Sequence, residues 1–229
     1  MLIYLLLNTA MKMKINSNLP IQTSEAVIQE LKYLVPARSY GYVAQLISTY
    51  NIKFKISRPR KTKLGDYRFD PRTKIHAISV NSDLNPFAFL ITLIHELAHY
   101  RQYVGNRRRV APHGEEWKTE FRTLMAPILE EGIFPMEIAE HLKKHMINPK
   151  ASCSDIHLMR LLEPYNNDAT LKLEDLEDGD VFRIDNGKVF KRGSKGRTRY
   201  QCVEVSTNRK WFVHALTKVE IVNETVINL

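Results

Sequence analysis

The feature that most constrains this chain is the apolar stretch PFAFLITLIHELAH, residues 86–99, because it carries polar side chains within a helical pattern. Asn85 can cap such a helix, Pro86 suits its first turn, and Gly105 suits its end. A helix that is apolar almost all round is typical of a domain core. Unpartnered imidazole and carboxylate groups would destabilise that core by on the order of several kcal/mol. The stretch therefore predicts a buried helix whose polar side chains have a partner.

The polar residues of this helix form the pattern H-E-x-x-H, as His95, Glu96 and His99. Histidines four residues apart lie one turn apart on the same helix face, so both can bind one metal ion. Glu96 would accept a proton from the attacking water and pass it to the leaving amine of a cleaved peptide. A chance match is the alternative, but it leaves the buried polar groups without partners. The pattern therefore predicts one catalytic zinc ion, with Glu96 as general base.

Two helix ligands do not complete a catalytic zinc site, which usually has three protein ligands and leaves one position for water. The candidates downstream are His113, Glu115, Glu116 and Glu120. His113 precedes a glycine that allows a sharp turn, and it follows His99 by fourteen residues. Imidazole is a common third zinc ligand, so we favour His113. Glu120 remains the alternative if the site uses two histidines and a glutamate on the following helix.

The sequence around the central helix predicts an α+β domain. Helical spacing follows Ser24, which can cap a helix that Pro36 ends, and YVAQLISTY predicts a second helix. The segments NIKFKIS, LGDYRF and KIHAISV predict strands, with a turn at DPRT. Two further helices are predicted by EEWKTEFRTLMAPILEEG and MEIAEHLKKHM. We therefore expect N-terminal helices, a short three-stranded sheet, the central helix and following helices within residues 23–149.

A different pattern begins at residue 150. Residues 150–170 are polar and rich in turn residues around one apolar segment, IHLMRLL, and predict a linker. Short alternating runs such as DVFRI, RYQCVEV and KWFVHAL follow, and the DNG at residues 185–187 predicts a hairpin turn. Residues 171–229 therefore predict a small, basic antiparallel β domain, either a sheet or an open barrel.

The two central motifs together resemble those of the SprT-like zinc metallopeptidases, which include the bacterial SprT proteins and the DNA-dependent protease Spartan. The segment LIHELAHYRQY matches H-E-x-x-H, and HGEEWKTEFRTLM resembles the family's H-G-x-x-aromatic element. The matched residues are His95, Glu96, His99, His113, Gly114 and Trp117. Over roughly residues 24–125, the resemblance implies a zincin-like fold, three histidine zinc ligands, a glutamate base and DNA-associated protein substrates.

The cysteines depart from that family's pattern. Many members continue into a C-terminal zinc ribbon with paired cysteines, and RTRYQCVEVSTNRKW resembles its first strand. This chain has only Cys153 and Cys202, which are far apart and in no C-x-x-C spacing. A site with four thiolates cannot be built from two cysteines. We therefore expect no second, structural zinc and no disulfide framework, which fits a reducing compartment.

Three basic segments stand out in a chain whose formal net charge is +9: SRPRKTK (57–63), NRRR (106–109) and residues 188–211. The last interleaves its basic residues with Phe190, Tyr200 and Trp211. In a nucleic-acid-binding groove, basic side chains contact the phosphates while aromatic rings stack on the bases. The alternative interpretation of this segment is a solvated hairpin whose aromatic rings face the core. Together with the resemblance, the charge predicts DNA, single-stranded or nucleoid-associated, as a partner. The predicted contacts are Arg107, Arg108, Arg109, Lys191, Arg192, Lys195, Arg197 and Arg199.

The N-terminal segment MLIYLLLNTA lacks the basic region of a signal peptide and is too short to span a bilayer. Translation from Met11 or Met13 is an alternative explanation of this segment. We expect residues 1–22 to be a tail, the protein to be cytoplasmic, and its partners to include protein substrates but no membrane.

The leading functional hypothesis is a zinc-dependent endopeptidase of the SprT-like class that acts on DNA-associated proteins. An alternative is a nucleic-acid-binding protein with a structural zinc and no protease activity. A third hypothesis is a zinc peptidase that acts on cytosolic polypeptides without DNA. Glu96 favours the peptidase hypotheses, because a purely structural zinc site needs no base at that position.

Overall fold

The structure is a computed structural model that describes residues 23–106, 110–149, 155–166 and 170–222. The chain divides into two compact units, with the boundary between residues 151 and 152. The tail at residues 1–22, the arginines at 107–109 and Cys153 lie outside the described residues. Among the helices of the described ranges, none combines the length and hydropathy needed to cross a bilayer.

The first unit contains helices and a small sheet, as the sequence predicted. Its helices are α1 (Glu25–Glu30), α2 (Tyr40–Thr49), α3 (Pro86–Gly105), α4 (Glu115–Glu130) and α5 (Met136–Ile147). Its strands are β1 (Ile52–Ser57), β2 (Gly65–Asp70) and β3 (Ile75–Asn81). Short 3₁₀ turns at Leu31–Tyr33 and Ala37–Ser39 join the first two helices.

The sheet of the first unit has the order β1-β3-β2, with β1 parallel and β2 antiparallel to β3. Ile52 and Phe54 are buried, whereas the lysines that alternate with them are exposed. This alternation is the burial pattern of a strand with one face on the core. Because β3 is central, β2 forms one edge of the sheet, and α3 packs against β2 and β3.

Helix α3 begins and ends where its local signals predicted. The Asn85 side chain accepts a hydrogen bond from the Ala88 amide at 2.9 Å, Pro86 is the first helical residue, and Gly105 is the last. Capping is confirmed here because the side chain replaces a partner that the first turn lacks. At α1, Ser24 occupies the predicted N-cap position, and its side chain makes no capping hydrogen bond.

The second unit is built on a five-stranded antiparallel sheet. Its strands are β4 (Val181–Arg183), β5 (Val189–Lys195), β6 (Arg199–Glu204), β7 (Lys210–His214) and β8 (Glu220–Ile221), in the order β7-β6-β5-β4-β8. The predicted DNG turn joins β4 and β5, and Gly187 has the positive φ of 83° that such a turn requires. Phe182, Phe190, Tyr200 and Cys202 belong to the core of this unit.

A short helix, α6 (Ile156–Leu162), lies in the range 150–170 that the sequence assigned to a linker. Asp155 caps it by accepting a hydrogen bond from the Leu158 amide at 2.8 Å. Ile156 packs against the core of the second unit, and Arg160 forms an ion pair with Glu174. These contacts attach α6 to the second unit. The domain boundaries proposed from the sequence stay a prediction.

Candidate metal centre

Three histidines converge in the first unit. His95 and His99 lie one turn apart on α3, and His113 lies just before α4. The Nε2 atoms of His99 and His113 are 2.9 Å apart, and that of His95 is 3.2 Å from each of them. The structure therefore brings together the two motif histidines and the favoured third ligand, as a group that could hold a metal ion.

The chemistry of these nitrogens fits a cation better than mutual hydrogen bonding. A neutral Nε2 carries either one proton or one lone pair, so three adjacent Nε2 atoms cannot all pair with one another. Three lone pairs directed at one cation would satisfy them together. Burial lowers the pKa of His95 to about 3 and that of His99 to about 4, and it also lowers the pKa of His113. All three are therefore neutral near pH 7, as metal ligands must be.

The backbone at His113 explains how the third imidazole reaches the other two. His113 itself has a φ of 60°, in the left-handed region, whereas Gly114 has an ordinary φ of −70°. The sharp turn expected at the glycine is therefore made by the histidine. A Cβ on Gly114 would lie 3.1 Å from the Ala111 carbonyl oxygen, so glycine serves close packing here. The buried Gln102 donates to the same carbonyl at 2.9 Å, which ties this turn to α3.

Trp117 forms the floor of the three-histidine group. Its fully buried ring has its centroid 4.7, 5.6 and 4.8 Å from the ring centroids of His95, His99 and His113. Its indole N–H donates to the His95 carbonyl at 3.4 Å, and its ring stacks on Phe121 at 5.0 Å. A large, fully buried ring beneath the imidazoles restricts their rotamers. The aromatic residue of the second motif thus supports the geometry of the site.

Glu96 lies beside the histidines against strand β2. Its side chain is only 8% exposed, and its carboxylate accepts a hydrogen bond from the Tyr67 backbone N–H. Burial, with a contribution from the negative charge of Asp66, raises the pKa of Glu96 to about 7. A Cβ on Gly65 would lie 2.6 Å from Glu96 Oε1 and 2.7 Å from Thr92 Cγ2. The absence of a side chain at Gly65 therefore makes room for the carboxylate.

These groups line an open cleft of about 870 Å³. Lys63 and the first three residues of β2 form one wall, and Asn106, Val110, Pro112 and His113 form another. At the first wall Asp66 forms ion pairs with Lys63 at 2.8 Å and with Arg68 at 2.5 Å. The lining residues are Lys63, Gly65, Asp66, Tyr67, His95, Glu96, His99, Gln102, Tyr103, Asn106, Val110, Pro112 and His113.

The alternative third ligand, Glu120, has a different partner. Its Oε2 lies 2.6 Å from Arg101 Nε, in an ion pair between α4 and α3. Arg101 also donates a hydrogen bond to Tyr50. Glu120 therefore links α4 to α3. Among the described residues, the group that could hold a metal ion consists of His95, His99 and His113.

The basic segment at residues 57–63 is partly held in the fold. Arg60 donates to the Asn81 side-chain oxygen at 2.7 Å and to Ser79 Oγ at 3.0 Å. The buried Asn81 donates in turn to the carbonyls of Arg60 and Lys63, each at 3.1 Å. These bonds fix the connection that leads into β2 and Gly65.

The predicted nucleic-acid contacts of the second unit differ in exposure. Lys191, Lys195, Arg197 and Arg199 are exposed, whereas Arg192 is half-buried, with its guanidinium 4.2 Å from the centre of the Tyr200 ring. Phe190 and Tyr200 are both 2% exposed and lie in the core, so neither ring is available to stack on a base.

The exposed ring that sequence reasoning missed in this unit is Phe212, which is 67% exposed on β7. The signal that could have found it is that a strand over KWFVH directs Trp211 and Phe212 to opposite faces, so both rings cannot face the core. Lys191 pairs with Val203, Val203 pairs with Lys210, and Gln201 pairs with Phe212. Directly paired residues share a face, so these lysines and Phe212 lie on the face opposite the core residue Cys202.

The comparisons with known proteins gave one family. Residues 38–136 match the SprT-like family, over a segment that contains α2, the three-stranded sheet, α3, α4 and the whole three-histidine group. No curated protein and no solved structure matches the chain.

Proposed function

Residues 38–136 belong to the SprT-like family, and from this premise we propose that the chain is a zinc-dependent endopeptidase whose catalytic unit is zincin-like. The observation that carries the proposal is the convergence of three imidazole nitrogens beside a buried carboxylate in one open cleft. Three protein ligands and a free position are the usual arrangement of a catalytic zinc site. A cytoplasmic location accompanies this proposal as a prediction.

The residues of the site have distinct roles in the proposed reaction. His95, His99 and His113 would hold the zinc, which when bound lowers the pKa of water and polarises a carbonyl. The Tyr67 N–H holds the Glu96 carboxylate in place. In that position the carboxylate can take a proton from the attacking water and release it to the leaving amine.

The experiment that tests this proposal compares wild type with Glu96→Gln, both loaded with zinc, on an unfolded fluorescent protein substrate. We expect kcat to fall by at least about 100-fold, because proton transfer by a positioned base contributes that much or more. Bound zinc per chain, measured by metal analysis, should stay the same. Unchanged cleavage by Glu96→Gln would contradict the assigned base, and an absence of cleavage by wild type would favour a structural metal.

A second candidate function, binding of single-stranded nucleic acid, is favoured by the face of the second unit that carries Phe212, Lys191 and Lys210. An exposed ring on the same sheet face as two lysines suits base stacking together with phosphate contacts. In this proposal DNA would bring protein substrates to the metal cleft. The exposed residues Lys195, Arg197 and Arg199 remain predicted contacts around that face.

Anisotropy of a labelled single-stranded oligonucleotide would test this second function. We expect Phe212→Ala to weaken binding by about 1–3 kcal/mol, and Lys191→Gln to reduce the salt dependence by about one phosphate contact. Ile221→Ala is a matched control, since Ile221 is 55% exposed on β8 at the opposite edge of the sheet. Binding that is equal in Phe212→Ala and Ile221→Ala would exclude this face.

Substrate cleavage with and without the oligonucleotide separates the two peptidase hypotheses. Cleavage that requires DNA would support a DNA-dependent protease. Cleavage that is indifferent to DNA would support a peptidase of ordinary polypeptides, and the basic face would then need another explanation.

A further inference from the structure

Four aromatic rings gather next to the metal centre without being buried. Phe69 lies with its ring centroid 4.6 Å from that of Tyr103 and 4.7 Å from that of His76. The Tyr67 ring centroid is 6.1 Å from His76 and 6.3 Å from Tyr103. All four side chains are partly or fully exposed, and Tyr103 is 46% exposed. We call these four residues the ring cluster.

The ring cluster is continuous with the three-histidine group. Tyr103 follows His99 by four residues on α3, so it lies one turn further along the same helix face. The Tyr67 ring is nearly parallel to the His99 ring, with an interplanar angle of 9° and centroids 6.3 Å apart. Tyr67 and Tyr103 also line the cleft. A polypeptide with its reacting bond at the histidines would therefore place a neighbouring side chain against these rings.

Packing of the core does not account for this cluster. The rings that stabilise the core below the site, Trp117 and Phe121, are fully buried, whereas Tyr103 is open to the cleft. Exposed apolar surface in a concave site is typical of ligand binding. The Tyr67 hydroxyl lies 2.9 Å from His76 Nδ1, so its polar group already has a partner.

The charges in the cleft select against a cationic ligand. Among the described residues that line it, the acidic side chains are Asp66 and Glu96. Asp66 is paired with Lys63 and Arg68, and Glu96 is buried beside the histidines. A lysine or arginine side chain placed on the ring cluster would lose water without gaining a free carboxylate partner.

From this geometry we infer that the ring cluster is a specificity subsite that binds one large apolar side chain of the substrate, phenylalanine or leucine, next to the cleaved bond. Tyr103 is the residue that determines this preference. The inference rests on the proposed peptidase function for the position of the bond, but side-chain binding can be measured without cleavage.

The test uses one soluble peptide backbone in which a single position is Phe, Leu, Ala, Lys or Asp. Cleavage by the zinc-loaded full chain is followed by mass spectrometry, and binding of the same labelled peptides to zinc-loaded Glu96→Gln is followed by anisotropy. We expect Phe and Leu to be preferred in both measurements. We expect Tyr103→Ala to lower kcat/KM for the Phe peptide at least about tenfold more than it lowers kcat/KM for the Ala peptide.

Two variants make the result specific to the ring. Tyr103→Phe keeps the ring and should retain the preference, whereas Tyr33→Ala removes a tyrosine that is 80% exposed and does not line the cleft, so it should leave every peptide unaffected. If Glu96→Gln binds the Phe peptide through Tyr103 while wild type cleaves nothing, the peptidase proposal fails and the subsite stands. Equal binding of all peptides, a preference for Lys, or no binding at all would overturn the subsite.

Discussion

The backbone of Gly65 lies against the carboxylate of Glu96 so closely that a Cβ at that position would be 2.6 Å from Oε1. Strand β2 thus shapes the space in which the proposed base sits, and the next residue but one, Tyr67, donates its N–H to the same carboxylate. The edge strand β2 therefore fixes the rotamer of Glu96 on helix α3.

Gly65→Ala is expected to destabilise the first unit by about 1–3 kcal/mol, because the added methyl overpacks the site, and to reduce cleavage by displacing Glu96. Urea unfolding measures the stability. Gly41→Ala is the control, since a Cβ on Gly41 would meet no described atom within 4 Å. In a Thr92→Ser/Glu96→Ala background the three closest atoms are gone, and Gly65→Ala should then be nearly neutral. An equal loss of stability in both backgrounds would contradict this contact.

Removal of any of the three histidines is expected to abolish stoichiometric zinc binding. His95→Ala, His99→Ala and His113→Ala should each lose metal on dialysis, and wild type should show a lower Tm with chelator, because an ion that binds only the folded state stabilises it. At zinc 100-fold above its Kd the stabilisation is about 2.7 kcal/mol. His141→Ala, on α5 and outside the group, is the control. Full zinc retention by His113→Ala would reject the third ligand.

The buried carboxylate predicts a pH dependence of stability in the metal-free protein. The pKa of Glu96 is raised by burial from 4.5 to about 7 in the folded state. The folded state therefore binds more protons than the unfolded state between these pH values, and this contribution to stability is lost as pH rises through 7. Glu96→Gln should be more stable than wild type at pH 8, by up to about 3 kcal/mol, and similar at pH 4.

Urea unfolding of the metal-free proteins at both pH values tests this expectation. A Trp211→Phe background makes Trp117 the remaining tryptophan, so its fluorescence reports on the first unit. If Glu96→Gln gave no gain at pH 8, the carboxylate would not carry the burial penalty that raises its pKa.

We expect the Glu204 side chain to stabilise the second unit. It is 4% exposed and accepts hydrogen bonds from Lys188 at 2.8 Å, Thr207 at 2.7 Å and the Trp211 indole at 3.1 Å. Glu204→Ala should destabilise this unit and lower its urea midpoint, because it leaves these donors without their acceptor. Fluorescence of Trp211 in a Trp117→Phe background measures the unfolding. Exposed Glu220 supplies the control, Glu220→Ala, and equal stability of the two variants would contradict this role.

The local signals of the sequence predicted the elements that depend on local chemistry. Helix α3 runs between its capping asparagine and its terminal glycine, and the H-E-x-x-H spacing placed two imidazoles on one face. The third histidine was favoured from the chemistry of zinc ligands, and it lies with the other two. Helical period and capping act over a few residues, so a single sequence carries that information.

The relationships between distant segments were not accessible in the same way. The order β1-β3-β2 depends on which strands pair, and alternation within a strand does not specify its neighbour. For that reason neither the closeness of Gly65 to Glu96 nor the ring cluster around Tyr103 was predicted. In the second unit, composition grouped Phe190, Tyr200 and Trp211, but strand register placed the first two in the core and exposed Phe212 instead.

The connection between the two motifs has a consequence for how such a protein can diversify. His113 follows His99 of α3 by fourteen positions, and Gln102 anchors the far end of this connection through the Ala111 carbonyl. Doubling the length of a flexible connection costs only about 0.6 kcal/mol in closure entropy. Insertions between α3 and Ala111 can therefore remodel the rim of the cleft while the anchored turn keeps the imidazole triangle intact. Length variation there offers a route to new ligand preferences of the cleft with an unchanged three-histidine group.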